Sequence, residues 1–406
     1  MTSRPDLLQG LADARARRVG GALGRRTRTV GRDVAAPVSL FVDGRRLLDF
    51  ASNDYLALAR DAAVVDALAG AARRTGVGAG AAHLLGGHRE EHAALEEALA
   101  AWTGRSRALL FSTGYMANLG VLQALLAPAE PTARTTPALC VQDKLNHACL
   151  IDGARLAGCE LKRYPHADVE AARRQFGTRP GAAAMLATDG VFSMDGDIAP
   201  LRALAALCAE EQALLMVDDA HGLGVLGPRG AGSLAESGLD ETAAPVLMAT
   251  LGKALGVAGA FVAGSASLID GLVQFARPYI YTTAMPPALA AACLAAVGIA
   301  RDDGERRQRL LLNIERFRAG AAARGLPLLP SRTAIQPLLV GDSVAALQAA
   351  QTLEAAGFFV PAIRPPTVPE GSARLRVTLS AAHVEADIDG LLAALSRCLP
   401  RSGAAS

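Results

Sequence analysis

The chain has 406 residues, of which 51% are hydrophobic, 20% charged and 4% aromatic, and its formal net charge is +2. That length and a mean hydropathy of +0.25 leave room for a large core domain plus a smaller one. The balanced charge excludes nucleic acid as the main partner. Six scattered cysteines with no C-x-x-C pair exclude a disulfide framework and suit the reduced thiols of a cytosolic protein.

In chain order, residues 5–32 form an arginine-rich arm with helical spacing in its first half, broken by Gly20, Gly21 and Gly24. Asp6 and Asp13 interrupt its charge and no apolar run follows, which argues against a signal peptide. Strand-like VSLFVD and RLLDFAS lead to Asn53-Asp54-Tyr55-Leu56. From about residue 90, helical patterns such as EEHAALEEALAAW and LRALAALCAEEQ alternate with RALLFS, ALCVQD, AAMLATD, ALLMVD, PVLMAT and AGAFVAG. This alternation predicts an α/β domain built on a mainly parallel sheet. Pro286-Pro287 opens a helical region reaching about residue 324. Its most apolar part, Ala288 to Ala300, is too short to span a bilayer and reads as a buried helix, so no membrane is expected. IQPLLV, a helix near 343–356, FFVPAI and RLRVTLS then suggest a smaller α+β domain. The expected division is an arm over 1–50, a large domain over 51–285 and a C-terminal domain over 286–406.

Four motifs bear on chemistry. HREEH at 88–92 matches the H-x-x-E-H zinc pattern, but it has no third ligand and sits where an acidic first helical turn is favourable, so no metal is expected. TGYMAN at 113–118 ends a strand and starts a helix. There Gly114 and Tyr115 could offer N–H groups to a phosphate, or simply make a turn. In LMVDDAHGLGVLG at 215–227 the glycines are spaced G-x-G-x-x-G, yet PRGAGS follows where a dinucleotide fold needs a helix, so a turn is the better reading. Asp218 closes that strand at the sheet's carboxyl edge. It could keep a pyridine nitrogen protonated, with His221 reaching a ring substituent, or it could cap the next turn.

TLGKALG at 250–256 places Lys253 between glycines at a strand end, in a chain with very few lysines. A desolvated lysine there is nucleophilic and has room to bond a carbonyl; the alternative is an ordinary surface lysine. Phosphate donors, an aspartate, a ring-hydroxyl partner and a carbonyl-bonding lysine together are the parts that hold pyridoxal phosphate.

With these, DKLNHACL, TDGVFSMDGD, IYTTAMPP and AIRPPTVPEGSARLRVTLS complete a set of motifs, from about residue 45 to 395, that resembles the α-oxoamine synthases. These are pyridoxal-phosphate enzymes of fold type I, with a mainly parallel central sheet, helices on both faces and a smaller C-terminal α+β domain. The last stretch and GVFSMDGD resemble the branch that serves biotin synthesis, condensing L-alanine with a pimeloyl thioester carried on coenzyme A or a carrier protein.

The resemblance implies that Lys253 holds the cofactor covalently and moves the Cα proton. It implies that Asp218 faces the pyridine nitrogen, that His221 and Ser193 contact the ring hydroxyl, and that His147 stacks on the ring beside the substrate. Gly114, Tyr115 and Thr250 would serve the cofactor and its phosphate. Thr282 and Thr283 would reach the phosphate of a second subunit, since the family forms homodimers with shared active sites. Arg376 would bind the amino acid carboxylate, with Asn53, Arg364 and Thr367 nearby, and Arg25 rather than Arg26 would meet the acyl substrate. Asp189 stands where the family usually has glutamate, which shortens a reach near the cofactor.

Within the family the rivals are glycine users, the 2-amino-3-ketobutyrate ligases and 5-aminolevulinate synthases. From another class, a nicotinamide-dependent dehydrogenase would rest on Gly222 to Gly227 alone. A non-catalytic scaffold of the same fold would lack the lysine, aspartate and histidine that this chain has.

Overall fold

The structure, a computed structural model, describes residues 4–33, 36–127 and 136–399. Contacts divide the chain into two compact units, one of Met1–Ser52, Met194–Gly196 and Leu311–Ser406, the other of Asn53–Ser193 and Asp197–Leu310.

The first unit opens with helix α1 (Leu7–Gly20) and strands β1 (Val30–Arg32), β2 (Ser39–Val42) and β3 (Arg45–Asp49). The second begins with α2 (Ala62–Thr75), α3 (Glu90–Thr103), β4 (Arg107–Phe111), α4 (Gly114–Leu126), β5 (Leu139–Asp143), α5 (Ala148–Leu156), β6 (Glu160–Tyr164) and α6 (Val169–Phe176). It continues with β7 (Ala184–Asp189), α7 (Leu201–Glu210), β8 (Leu214–Asp218), α8 (Ser233–Glu236), β9 (Val246–Thr250) and β10 (Ala260–Gly264). Helices α9 (Ala266–Phe275), α10 (Arg277–Ile280) and α11 (Pro287–Asp302) follow, and α12 (Gly304–Ala323) contains the division at Leu310. The first unit resumes with β11 (Ile335–Gly341), α13 (Ser343–Ala355), β12 (Phe358–Phe359), β13 (Ala362–Ile363), β14 (Ala373–Thr378) and α14 (Glu385–Cys398).

In the second unit seven strands run in the order β4-β10-β9-β8-β7-β5-β6. From β9 to β6 all pairings are parallel, while β10 is antiparallel to both its neighbours. Reversal against two neighbours leaves β4 pointing the same way as the rest. The carboxyl ends of β4, β5, β7, β8 and β9 therefore share one edge of the sheet, where open α/β sheets bind ligands.

Side chains alternate between the faces of a strand. Leu109, Phe111, Met216 and Val262 pack against Val121, Leu122, Leu150, Ile269 and Leu272 of α4, α5 and α9. Their alternates Leu110, Leu215, Val217 and Phe261 are equally buried, so both faces of the sheet are covered. This is the near-continuous apolar patterning of parallel strands. The polar edge strand β6 (ELKRY) lacks that pattern and was not anticipated from sequence.

Helix α11 starts at Pro287 as expected, with proline at its first turn, but it packs on α2 and α3. Its buried stripe of Ala288, Ala292, Cys293 and Ala296 belongs with the second unit. The division consequently falls one helix later than the expected start of a C-terminal domain at residue 286. The first unit holds a four-stranded sheet, β1-β2-β3-β12, and a three-stranded sheet, β11-β14-β13. The six cysteines are all free thiols, and among the described residues no helix is long and apolar enough to cross a membrane.

Candidate active site

A cavity of about 180 Å³ opens at the carboxyl edge of the seven-stranded sheet. Strands β7, β8 and β9 bring Asp189, Asp218 and Thr250 to it, and the turn after β9 adds Lys253. Gly114 and Tyr115 reach it from the start of α4, His147 and Cys149 from the start of α5, and Ser193 and His221 from loops. Of the chain's three lysines (Lys144, Lys162 and Lys253), only Lys253 lines this cavity.

The carboxylates at the end of β8 diverge because neighbouring strand residues face opposite sides. Asp218 turns to the cavity, where Oδ2 accepts from Asn118 Nδ2 at 2.7 Å and Oδ1 from Ala220 N at 3.0 Å. Asp219 turns inward, fully buried, and its Oδ2 accepts from Ser233 N at 2.7 Å. Burial pushes its pKa up to about 7. Gly222 of the glycine motif, and Gly232 beyond it, make room for Asp219: a Cβ on either would collide with its carboxylate. After Gly227 comes only a three-residue turn, Pro228–Gly230, so no helix N-terminus stands there to receive a pyrophosphate.

Lys253 Nζ lies 2.9 Å from His221 Nε2, and His221 Nδ1 lies 2.5 Å from the Tyr55 hydroxyl, which also donates to Asn53 Oδ1 at 3.3 Å. The backbone of His147 is fixed by Asp189, whose Oδ2 accepts from His147 N at 3.0 Å. Burial and the Asp218 charge hold the Asp189 carboxyl well above the usual carboxylate range. Burial lowers the His147 pKa, with Lys253 pushing the same way and Asp218 opposing. Thr250 Oγ1 donates to the Gly259 carbonyl at 3.0 Å. Thr113 caps α4 by accepting from Met116 N, which leaves the Gly114 and Tyr115 N–H groups at the helix start.

His166 clamps the two loops that present His147 and Ser193. Its Nδ1 is 3.1 Å from Asp143 Oδ1 and its Nε2 is 2.8 Å from Asp197 Oδ2. Burial opposes its charge, but the two carboxylates override burial and raise its pKa to about 10. A pKa raised above the unfolded value of about 6.5 stabilises fully below that pH, and the contribution fades as pH climbs to about 10. Wild-type stability in thermal melts should therefore fall between pH 6.5 and 10 more steeply than that of His166→Gln. Equal slopes would remove the clamp's electrostatic role.

The HREEH motif has a structural account. His92 Nδ1 accepts from Arg89 N at 2.9 Å and its Nε2 donates to the Met285 carbonyl at 2.8 Å, so both ring nitrogens are committed. Among the described residues no cluster of His, Cys, Asp and Glu is arranged to hold a metal ion.

Thr282 and Thr283 do not line the cavity; they lie between α10 and α11, where Thr283 pairs with Ala82. In the first unit Arg25 Nη2 donates to Thr367 Oγ1 at 3.4 Å. The Arg364 guanidinium donates to the carbonyls of Ala22 and Gly24. Arg376 is buried in β14 and its Nη1 donates to Thr378 Oγ1 at 3.0 Å. Sequence reasoning missed Tyr55, Asn118 and Cys149. Only Asn118 left a signal, a lone amide in an apolar helix, since a buried amide demands partners.

The donor set fits pyridoxal phosphate. It has a carboxylate for the ring nitrogen, an amine for the carbonyl, imidazole and hydroxyl for the ring oxygen, and a helix start with a threonine for the phosphate. The aminotransferase class I and II family matches residues 45–395. An 8-amino-7-oxononanoate synthase from Xanthomonas axonopodis pv. citri is 53% identical over 393 residues, covering 97% of this chain and 96% of that protein. Serine palmitoyltransferase from S. paucimobilis, solved with pyridoxal phosphate and myriocin bound, superposes with a TM-score of 0.89 at 28% identity, covering 97% of this chain and 98% of that one. An 8-amino-7-oxononanoate synthase from Francisella tularensis gives a TM-score of 0.74 at 29% identity, covering 86% of this chain and 97% of that one. With a family match across most of its length and this level of identity, the chain belongs to the class I and II aminotransferase family of pyridoxal-phosphate proteins, in the α-oxoamine synthase branch and alongside the 8-amino-7-oxononanoate synthases.

Proposed function

We propose that the chain condenses L-alanine with a pimeloyl thioester, releasing carbon dioxide and the thiol and giving 8-amino-7-oxononanoate for biotin synthesis. The supporting observation is the convergence of Lys253, Asp218, His221 and His147 on one cavity, in a chain 53% identical to a synthase of that name. Pyridoxal phosphate, when bound, offers a carbonyl to the amino group of alanine and a protonated ring that takes up the electron pair left at Cα.

The chain's own residues supply the rest. Asp218 holds the proton on the ring nitrogen, while His221 and Ser193 bind the ring hydroxyl. Gly114, Tyr115 and Thr250 bind the phosphate side. Lys253 holds the cofactor between turnovers; once freed by alanine, its Nζ removes the Cα proton and later returns one. His147 covers the ring and orients the amino acid. Arg376, with Asn53, Arg364 and Thr367, is assigned to the substrate carboxylate, and Arg25 to the acyl chain.

The working form is a homodimer in which Thr282 and Thr283 serve the phosphate of a second copy. Val77, Leu85 and Tyr281 support it, because they are 87%, 80% and 72% exposed and belong to the same stretches as Ala82 and Thr283. A cytoplasmic location agrees with six free thiols.

The reading is tested by colour and by product mass. Protein supplied with pyridoxal phosphate should turn yellow, and alanine with pimeloyl-coenzyme A or pimeloyl-carrier protein should yield 8-amino-7-oxononanoate. Turnover favouring glycine with acetyl or succinyl thioesters would move the chain to its glycine-using relatives. A colourless protein that takes up no cofactor would sink the proposal.

A further inference from the structure

We infer that Asn118 and Cys149 are positioning residues: a hydrogen-bonded chain Asp218–Asn118–Cys149–His147 fixes the proton of His147 on Nε2 and aims the Asp218 carboxylate. The inference rests on the cofactor reading for its catalytic meaning, but the geometry stands without it.

Asn118 lies one turn into α4, and none of it is exposed. Its neighbours in that helix are apolar, so the amide would be costly without partners. Its Nδ2 donates to two acceptors, Asp218 Oδ2 at 2.7 Å and Cys149 Sγ at 2.9 Å. The carboxylate settles the orientation of the amide, because it accepts and cannot donate to an amide oxygen.

Cys149 then meets His147 twice. Its backbone N–H donates to His147 Nδ1 at 3.3 Å, capping α5, and its Sγ lies 2.7 Å from the same nitrogen. Because the backbone N–H donates to Nδ1, a lone pair lies there, and the thiol hydrogen is the one that points at Nδ1. Burial pushes the Cys149 thiol pKa up, with the Asp218 charge adding to it, so the thiol keeps that hydrogen. Two donors on Nδ1 require a lone pair there, which leaves Nε2 carrying the ring proton.

The consequence is a division of labour. His147 offers the cavity an N–H donor, suited to steadying an oxygen of the bound amino acid and unsuited to taking a proton. Proton removal is left to Lys253. The charged and titratable groups around His147 are Asp218 from β8, Asp189 from β7, Asp152 within α5, Lys253 after β9, and Cys149 itself. Through Asn118 and Cys149, hydrogen bonds join the His147 ring to Asp218.

The test is nitrogen NMR of histidine-labelled protein, with the His147 signals identified by their loss in His147→Asn. In the wild type, Nδ1 should appear unprotonated at neutral pH and the ring should titrate below the ordinary histidine value. Cys149→Ala removes one donor to the neutral ring, so its titration point should rise by on the order of 0.5–1 unit. Cys149→Ser, which restores a donor, should return it towards wild type. In holoenzyme assays the acid limb of kcat should move with the titration, while KM for alanine holds. A protonated Nδ1 in the wild type, or alanine and serine variants that titrate alike, would overturn the inference. Because the titration needs no turnover, it separates from the proposed reaction: failure of the alanine and pimeloyl assay leaves the NMR outcome intact, and the reverse also holds.

Discussion

Lys253→Ala should abolish the visible absorbance of the cofactor-loaded protein and cut turnover by about 10⁴-fold or more, because covalent attachment and proton transfer are lost together. The chain has no understudy. Lys144 and Lys162 lie outside the cavity, and the neighbours of Lys253 Nζ include a histidine and no second amine. Folding should be almost unaffected, since Lys253 is only half-buried. The checks are an absorbance spectrum, single-turnover product formation and a thermal melt on the same preparation. Near-normal turnover in a well-folded Lys253→Ala protein would remove the lysine from the chemistry and reopen the nicotinamide alternative.

Gly232→Ala should cost about 3–5 kcal/mol, combining a left-handed backbone position with an overpacked contact. Gly232 has φ of +101°, and an added Cβ would drive into Asp219 Oδ2. Asp219 cannot retreat, being fully buried and tied to Ser233 N. The control is Gly271→Ala in α9, where a Cβ meets nothing within 4 Å. There the change should stabilise by about 0.5–1 kcal/mol, as alanine does in a helix interior. Denaturant midpoints compare the two. Equal and small effects would mean that the loop around Asp219 adapts freely and that the glycines are not required by it.

The strands ending at the site were legible because parallel strands buried on both faces read as short apolar runs, and Asp189, Asp218 and Thr250 each close one. Strand β6 was not legible: ELKRY is polar, and pairing with β5 rather than composition makes it a strand. Helix α11 announced its start through Pro286-Pro287, but its allegiance depends on packing against α2 and α3, which no local pattern encodes.

At the site, Asp218, His221 and Lys253 were read from their places at or just after strand ends, whereas His147 came only with the family resemblance; all four line the cavity. Tyr55 and Cys149 were not found, because their meaning comes from partners distant in sequence or turned towards them only in the fold. Tyr55 meets His221 across 166 positions and Asn118 meets Asp218 across 100. The glycines of LMVDDAHGLGVLG serve the local fold: Gly222 makes room for the buried Asp219, while Gly224 and Gly227 hold left-handed turns packed against Ala254 and the Gly232 carbonyl.

The division of the chain bears on how such an enzyme changes. Every cavity residue from Gly114 to Lys253 lies in one compact unit, together with Asn53, whereas Arg25, Arg364, Thr367 and Arg376, the arginine and threonine candidates for substrate contact, lie in the other. Cofactor retention and most of the proposed substrate contacts are thereby inherited on separate stretches of sequence, and drift in one can leave the other largely untouched. A laboratory selection for a new amino acid and thioester pair should gather its substitutions in the arm and beyond Leu311, while the vitamin cradle stays as it is.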